Sequence, residues 1–148
     1  MDEKRRVLVP QEFRAAASGV DAAAFDGVYC FPAIGADCIE AGGQALFDRY
    51  AALVDGLPFG DPLREAMEDT VFGGMKQLSY DGAGRITLPE VLCQGFGPRD
   101  WVIIVGLRNR FQIWSRDTYQ AHREKQRLVA REGLPTYSMA QRTGSAAA

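Results

Sequence analysis

Short apolar runs, each bounded by glycines and polar residues, mark the strands that this sequence predicts. Seven runs alternate or stay apolar over strand length, at residues 7–9, 28–31, 38–40, 75–80, 85–88, 101–105 and 111–114. The runs at 75–80 and 85–88 flank Gly82-Ala83-Gly84, so we expect them to pair as a hairpin across this turn. Short strands mixed with helical patterns indicate an α+β fold.

Two kinds of helix are predicted, short ones that follow a strand and a longer one. Pro10 and Pro89 each follow a strand and open a short helix. A longer apolar stripe from Leu46 to Val54 has the spacing of one helix face. Gly56 and the residues after it end that helix. We expect this helix, and the one that follows Asp61, to serve packing and subunit contact rather than chemistry.

Capping residues define the remaining helices. Asp61 followed by Pro62 has the form of an N-cap and a first helical residue. Ser115 is the expected N-cap of a basic helix that should end near Pro135. The residues after it are small and polar, which predicts a disordered tail.

A duplicated motif organises the chain. Asp2 and Arg6 recur as Asp81 and Arg85, both at an offset of 79 residues, and a proline follows each copy at the same spacing. Further along, the offset falls to 73 residues, so the first copy carries six extra residues within residues 15–26. Each copy predicts a tight turn that feeds a strand, with the arginine at the end of the turn.

The first copy departs from the second in two ways. Only Met1 precedes Asp2, so the strand that comes before the second turn has no counterpart in the first. Arg5 also stands where the second copy has Gly84. If this position needs a positive φ, a residue other than glycine costs about 1 kcal/mol. We therefore expect the first turn to be the weaker of the two.

Four segments of the second copy resemble the second half of the MraZ transcriptional regulators, whose two halves are SpoVT/AbrB-like DNA-binding units. These segments are Asp81-Gly82-Ala83-Gly84-Arg85, Pro89, Trp101 to Gly106, and Asn109 to Trp114. The resemblance covers roughly residues 1 to 125, and motifs spaced over two repeats are more specific than any one of them.

The resemblance implies a fold and a division of the chain. Two AbrB-like swapped-hairpin units would interleave into a small pseudo-twofold barrel with helices outside. The implied parts are a first unit with a truncated start, a helical connector, a second unit, a basic helix and a disordered tail, at residues 1–43, 44–74, 75–119, 120–134 and 135–148. It further implies a ring-like homo-oligomer that binds direct repeats in double-stranded DNA upstream of a cell-division and cell-wall gene cluster.

Charge is segregated along a chain whose net charge is only −2. Residues 37–69 hold eight acids against two bases, a net charge of −6, and residues 108–131 hold seven bases against two acids, a net charge of +5. A basic surface can therefore exist on an acidic protein.

The candidate DNA-binding residues follow from the resemblance. Arg85 and Arg6 would contact DNA, because a guanidinium fork suits phosphate and guanine. Asp81 and Asp2 would orient them. The other reading of the same spacing is a turn arginine that only bonds the aspartate four residues earlier. Weaker candidates for phosphate contact complete the set: Lys4, Arg5 and Lys76.

Sites for catalysis, metals and cofactors are not indicated. Cys30, Cys38 and Cys93 lack CxxC spacing, and His122 is the single histidine, so neither a zinc cluster nor a disulfide framework is predicted. The glycines of the turn lack nucleotide-loop spacing. We expect no enzyme activity, no cofactor, no metal and no small-molecule substrate. Trp101, Phe111 and Trp114 are expected in the core.

The location follows from hydropathy and from the resemblance. No run is long enough to cross a membrane, and no apolar signal segment opens the chain. We expect a cytoplasmic, nucleoid-associated protein. The competing hypothesis is an AbrB-like oligomeric scaffold, or an antitoxin-like module, that has lost DNA binding. The acidic stretch at 37–69 favours this alternative.

Overall fold

The computed structural model describes residues 1–19, 26–94 and 101–147. The chain divides into two compact units, Met1–Arg116 and Asp117–Ala148. Seven strands are described: β1 (Arg6–Leu8), β2 (Gly27–Pro32), β3 (Ile39–Gly42), β4 (Lys76–Ser79), β5 (Arg85–Thr87), β6 (Val102–Gly106) and β7 (Arg110–Ser115). The helices are α1 (Gln11–Ser18), α2 (Gln44–Asp55), α3 (Pro62–Met67), a π-helical segment (Glu68–Phe72), α4 (Glu90–Cys93) and α5 (Arg116–Ala147).

The strands form two antiparallel sheets. One is a ribbon of β1 and β5, and the other has the order β4-β2-β3-β7-β6. The predicted hairpin between β4 and β5 is therefore wrong, because β4 pairs with β2 and β5 pairs with β1. Pairing across the repeats places Val7 opposite Ile86, and both side chains are buried. This burial favours the exchange of partners over the local hairpin.

In both sheets, strands of the two copies pair in a register that lies at, or within one residue of, the offset of the sequence repeat. In the ribbon, Val7 lies opposite Ile86, its own counterpart 79 residues later. In the larger sheet, Glu40 lies opposite Gln112, one residue short of its counterpart at offset 73. Registers of this kind relate the two copies by a local twofold arrangement.

The α+β class is confirmed, but a closed barrel is not seen. Among the strands that the structure describes, the larger sheet ends on β4 and β6, and the ribbon is a separate pair. The division of pairing between two sheets leaves these strands as edges, so the sheet stays open.

One hydrophobic core draws on both repeats. Its buried members are Val7, Val9, Ala17, Val28, Cys30, Ile39, Ala41, Ile86, Leu88, Leu92, Phe111 and Ile113. A second, smaller cluster lies under α2 and the π-helical segment, around Phe31, Leu46 and Val71. The ring of Phe31 meets that of Tyr50 edge-on at 5.1 Å. The helical connector is thus packed on the larger sheet.

Local signals place α3 as predicted. Asp61 is its N-cap and accepts a hydrogen bond from Leu63 N–H at 2.8 Å, with Pro62 as the first helical residue. In the π-helical segment that follows, Val71 is fully buried, whereas Leu63 of α3 is 57% exposed.

The cysteines and tryptophans only partly match expectation. Cys30 and Cys38 are buried free thiols, and burial raises the pKa of each to about 12. Phe111 and Trp114 are buried, but Trp101 is 70% exposed. The Arg116 guanidinium lies 5.9 Å from the centre of the Trp101 ring, so a cation–π contact takes the place of core packing.

The second unit is helical from end to end of its described part. Helix α5 runs through Pro135 to Ala147, so the predicted helix end near Pro135 is wrong. A proline removes one N–H donor, but local bonds continue on both sides of it. Gln141 Nε2, for example, donates to Tyr137 Oη at 2.6 Å. No helix among the described residues is long and apolar enough to span a membrane.

Candidate nucleic-acid interface

The second turn is closed by hydrogen bonds to one aspartate. Asp81 Oδ1 accepts from the backbone N–H groups of Ala83 and Arg85, both at 2.9 Å. The Gly84 N–H donates to the Asp81 carbonyl at 3.0 Å, and Asp81 N–H donates to the Arg85 carbonyl at 2.9 Å. Gly84 adopts φ +84°. The side chain of Asp81 therefore shapes the turn as well as facing the arginine.

The first turn repeats every one of these bonds. Asp2 Oδ1 accepts from Lys4 N–H at 3.0 Å and from Arg6 N–H at 2.8 Å. The Arg5 N–H donates to the Asp2 carbonyl at 3.0 Å, and Arg5 adopts φ +59°. The positive φ expected at this position is confirmed. The cost of a residue other than glycine at this position therefore applies to the first turn, although its hydrogen bonds match those of the second.

An ion pair fixes the arginine in each copy. Arg6 Nε donates to Asp2 Oδ2 at 2.6 Å, and Arg85 Nε donates to Asp81 Oδ2 at 2.8 Å. Hydrogen bonds from the backbone N–H groups of the two arginines, and then their side chains, lower the pKa of both carboxyls. Because the pKa of each aspartate in the folded protein is below the ordinary value of 3.8, its ionised form stabilises the turn at pH values above 3.8. This contribution to stability is lost as the pH falls through the folded pKa. At neutral pH the aspartates stay ionised and hold the guanidinium planes.

The two arginines share one face of the ribbon. Val7 and Ile86 point inward, so the alternate positions Arg6 and Arg85 lie on the opposite face. Arg6 is opposite Thr87, and Arg85 is opposite Leu8. Diagonal neighbours of this kind lie about 7–8 Å apart, and their Cβ atoms are somewhat closer. Each arginine side chain is about one-third exposed, at 34% and 36%.

Backbone bonds tie each turn to the opposite strand. Leu88 N–H donates to the Arg5 carbonyl at 2.9 Å, and Val9 N–H donates to the Gly84 carbonyl at 3.1 Å. These bonds are equivalent under the 79-residue offset. The ribbon and both turns therefore form one connected platform.

A guanidinium packs beside each turn, from a different source in each copy. An ideal Cβ on Gly84 would lie 2.5 Å from Arg14 Nη1, so the side chain of Arg14 fills that space. In the other copy Arg5 carries its own side chain at this position, and Cys93 replaces Arg14 at the 79-residue offset. Arg5 Nε donates to the Leu88 carbonyl at 2.9 Å. Burial raises the pKa of the nearby Cys93 thiol, and the charge of Arg5 opposes this shift. The guanidinium therefore comes from the turn itself in the first copy and from α1 in the second.

The packing of Arg14 against Gly84 predicts that Gly84→Ala destabilises the protein while Gly82→Ala does not. Alanine at 84 must adopt φ +84° and displace Arg14, whereas a Cβ at 82 meets nothing within 4 Å. The positive φ alone disfavours alanine by about 1–2 kcal/mol. Denaturant unfolding of both variants measures the difference. Equal unfolding free energies for the two variants would contradict the packing role of Arg14.

The remaining predicted site residues are not all at the platform. Lys4 is exposed in the first turn. Arg5 is in the same turn, but its Nε is bonded to the protein, so a supporting role fits it better than a DNA contact. Lys76 begins β4, about 10 Å of extended chain before Ser79. The structure therefore brings Lys4, Arg6 and Arg85 to the ribbon and its turns, and places Lys76 in the larger sheet.

Sequence reasoning missed three residues of this region. Arg14 lies 5.7 Å from the centre of the Tyr80 ring and supports the second turn. Leu8 is 61% exposed on the arginine face beside the exposed Thr87. The sequence contained a signal for Arg14. When the two repeats are aligned, Arg14 takes the position of Cys93, just as Arg5 takes the position of Gly84. Leu8 could have been found only from the pairing of β1 with β5.

Metal chemistry has no arrangement of donors among the residues that the structure describes, where no three His, Cys, Asp or Glu side chains come together to hold an ion. Tyr80 Oη and Arg14 Nε are the buried side-chain atoms without a hydrogen-bond partner in the same part of the chain. Burial raises the pKa of Tyr80 well above its ordinary value. The side chains of Arg14 and Tyr80 pack against each other beside the second turn.

Comparison with known proteins identifies the family. Residues 71–133 match the family model described as "MraZ protein, putative antitoxin-like". The chain is 58% identical to the transcriptional regulator MraZ of Caulobacter vibrioides strain NA1000 / CB15N over 142 residues, which cover 96% of this chain and 88% of that protein. The corresponding regulator of Phenylobacterium zucineum strain HLK1 is 61% identical over 142 residues, 96% of this chain and 86% of its own.

More distant relatives carry the same name. The transcriptional regulator MraZ of Rickettsia bellii strain OSU 85-389 is 34% identical over 132 residues, which cover 89% of this chain and 86% of that protein. Identity at this level across most of both chains establishes common descent. The protein therefore belongs to the MraZ family.

Proposed function

We propose that this protein is a sequence-specific DNA-binding transcriptional regulator that reads DNA with the β1–β5 ribbon. The observation that carries the proposal is the shared exposed face of Arg6 and Arg85, each held by an ionised aspartate in an equivalent turn. The names of the relatives point to the same class of activity.

The ribbon has the form that the major groove accepts. The major groove of B-DNA is wide enough for a two-stranded antiparallel ribbon, and arginine is the residue that most often reads guanine there, through O6 and N7. The Nε of Arg6 and Arg85 is bonded to aspartate, which leaves the Nη groups of each fork for a base or a phosphate. Asp2 and Asp81 orient these forks and do not touch DNA themselves.

Two apolar groups complete the reading face. Leu8 and Thr87 lie between the arginines on the ribbon, and both are exposed. A methyl group at such a position can contact the methyl group of thymine. The face would then distinguish both guanine and thymine. Lys4 supplies a phosphate contact at the edge of the face. Lys76, which lies in the larger sheet, remains a weaker candidate for phosphate contact.

Assembly would compensate for the small charge of each reading face. The first turn has a net charge of +1 over residues 2–6, and the second has a net charge of 0 over residues 81–85. A few phosphate contacts give weak, salt-sensitive binding. We infer a ring-like homo-oligomer of interleaved AbrB-like units whose repeated faces bind direct repeats, upstream of a cell-division and cell-wall gene cluster, at the nucleoid in the cytoplasm. Linked sites raise affinity without new kinds of contact.

A mobility-shift titration with the DNA upstream of the protein's own gene tests this function. We expect a specific complex that a scrambled duplex competes for poorly, and a log affinity that falls steeply with log salt because phosphates are neutralised. Footprinting on the same fragment should protect repeated, equally spaced segments. Equal affinity for the scrambled duplex, or no salt dependence, would contradict the proposal.

A second function is an oligomeric scaffold or an antitoxin-like module without DNA binding. The acidic segment at residues 37–69 and the description of the matching family model favour it. Such a protein would show no salt-dependent binding to duplex DNA of any sequence. The titration described above therefore separates the two functions.

A further inference from the structure

A cleft lined by three arginines lies apart from the ribbon. Its volume is about 390 Å³, and it is formed by Arg49 of α2 and by residues of the turn between β6 and β7. The lining residues are Arg49, Leu107, Arg108, Asn109 and Arg110. The proposed DNA reading uses none of them.

The turn that forms the cleft holds an arginine in a disfavoured backbone conformation. Leu107 N–H donates to the Arg110 carbonyl at 2.8 Å, which closes a two-residue turn over Arg108 and Asn109. Arg108 adopts φ +66°, where two-residue hairpin turns of this kind prefer glycine. Non-glycine residues in this region concentrate at ligand-binding positions, where strain is retained for the contact that it provides.

The charge of the cleft is not balanced by the protein. Arg110 forms an ion pair with the buried carboxylate of Glu40, which also accepts from Gln112 Nε2 at 3.2 Å. Within residues 1–19, 26–94 and 101–147, neither Arg49 nor Arg108 has an ion pair or a side-chain hydrogen bond. Three guanidinium groups against one carboxylate leave a net charge of +2.

We propose that this cleft binds a phosphate dianion, either free or as the phosphate group of a small ligand. A net charge of +2 matches a phosphate monoester, which carries close to two negative charges at neutral pH, better than a single carboxylate. Guanidinium forks bind phosphate oxygens in pairs, and Arg49 and Arg108 approach from different elements. The ion pair with Glu40 holds the Arg110 guanidinium, so this fork is already oriented.

Titration of the full-length protein with inorganic phosphate, at constant ionic strength set with chloride, tests the site. Calorimetry should show saturable binding, and the thermal midpoint should rise with phosphate concentration by mass action. Arg108→Gly removes the guanidinium but suits the positive φ, so it should fold at least as well as the unmodified protein. We expect it to bind phosphate roughly tenfold more weakly, as does Arg49→Ala.

A control variant locates the effect. Arg123→Ala removes an exposed arginine of α5 and should bind inorganic phosphate unchanged. A phosphodiester of DNA presents similar acceptor oxygens but only one negative charge. If it were the ligand, Arg108→Gly would also weaken binding to every duplex equally and lower the salt slope by about 1. Unchanged phosphate binding by Arg108→Gly would overturn the proposal. So would loss of assembly in this variant without any phosphate binding by the unmodified protein, because the cleft would then hold a second copy of the chain.

Discussion

Replacing Arg85 with alanine is expected to abolish sequence-specific binding to duplex DNA while the protein still folds and assembles. The side chain is 36% exposed, and its Nε bonds only the aspartate of its own turn among the contacts described. One bidentate arginine contributes about 1–3 kcal/mol of discrimination between bases. In the proposed oligomer, several copies would multiply this loss. Specific affinity should therefore fall by at least about tenfold, as a mobility-shift titration near physiological salt can measure.

A lysine at the same position is the matched control. Arg85→Lys keeps the charge but loses the planar fork, so it should retain non-specific binding and lose most of the preference for the operator. Circular dichroism and size-exclusion chromatography should show both variants folded and assembled. Specific affinity equal to that of the unmodified protein in Arg85→Ala would refute the role of this residue.

Truncating the centre of the ribbon should cause the largest loss of stability. Ile86 is fully buried and lies opposite the buried Val7, so Ile86→Ala removes packing that holds both strands on the core. Buried isoleucine to alanine changes cost about 2–5 kcal/mol. The free energy of unfolding, measured in denaturant at fixed protein concentration, should fall by this amount.

Ile34 provides the comparison for this change. It lies in the connection between β2 and β3 and is 49% exposed, so Ile34→Ala should alter the unfolding free energy by no more than about 0.5 kcal/mol. A loss below about 1 kcal/mol for Ile86→Ala would mean that the ribbon is not anchored by its inner face.

Local features of the fold could be predicted from sequence because they depend on neighbouring residues. Asp61 and Pro62 specify the start of α3 through capping and a fixed φ. The 79-residue offset predicted that Arg5 would share the positive φ of Gly84, and both adopt it. Spacing also placed Asp2 within reach of Arg6.

Partner choice between strands could not be predicted in this way. The hairpin between β4 and β5 satisfies the local turn, yet β5 pairs with β1 because Val7 and Ile86 bury each other only in that arrangement. This choice depends on residues 79 positions apart. It also decides that Arg6 and Arg85 share a face, which the sequence alone leaves open.

Long-range packing likewise determines the exceptions near the site. Tryptophan is a residue type common in protein cores, but Trp101 is exposed and contacts the Arg116 guanidinium. Arginine is a residue type common at the surface, but the side chain of Arg14 fills the space beside Gly84. Helix α5 continues through Pro135, because a single proline removes one donor while the bonds on either side of it persist. None of these outcomes follows from a local pattern.

The central claim is that the two duplicated turns form one reading face with equivalent arginines. Operator affinities of Arg6→Ala and Arg85→Ala, measured side by side by fluorescence anisotropy in one buffer, test it most directly. Equivalent hydrogen bonds in the two turns predict losses that agree within roughly threefold. An Arg6→Ala protein that binds the operator as tightly as the unmodified protein, while Arg85→Ala does not bind, would contradict the claim.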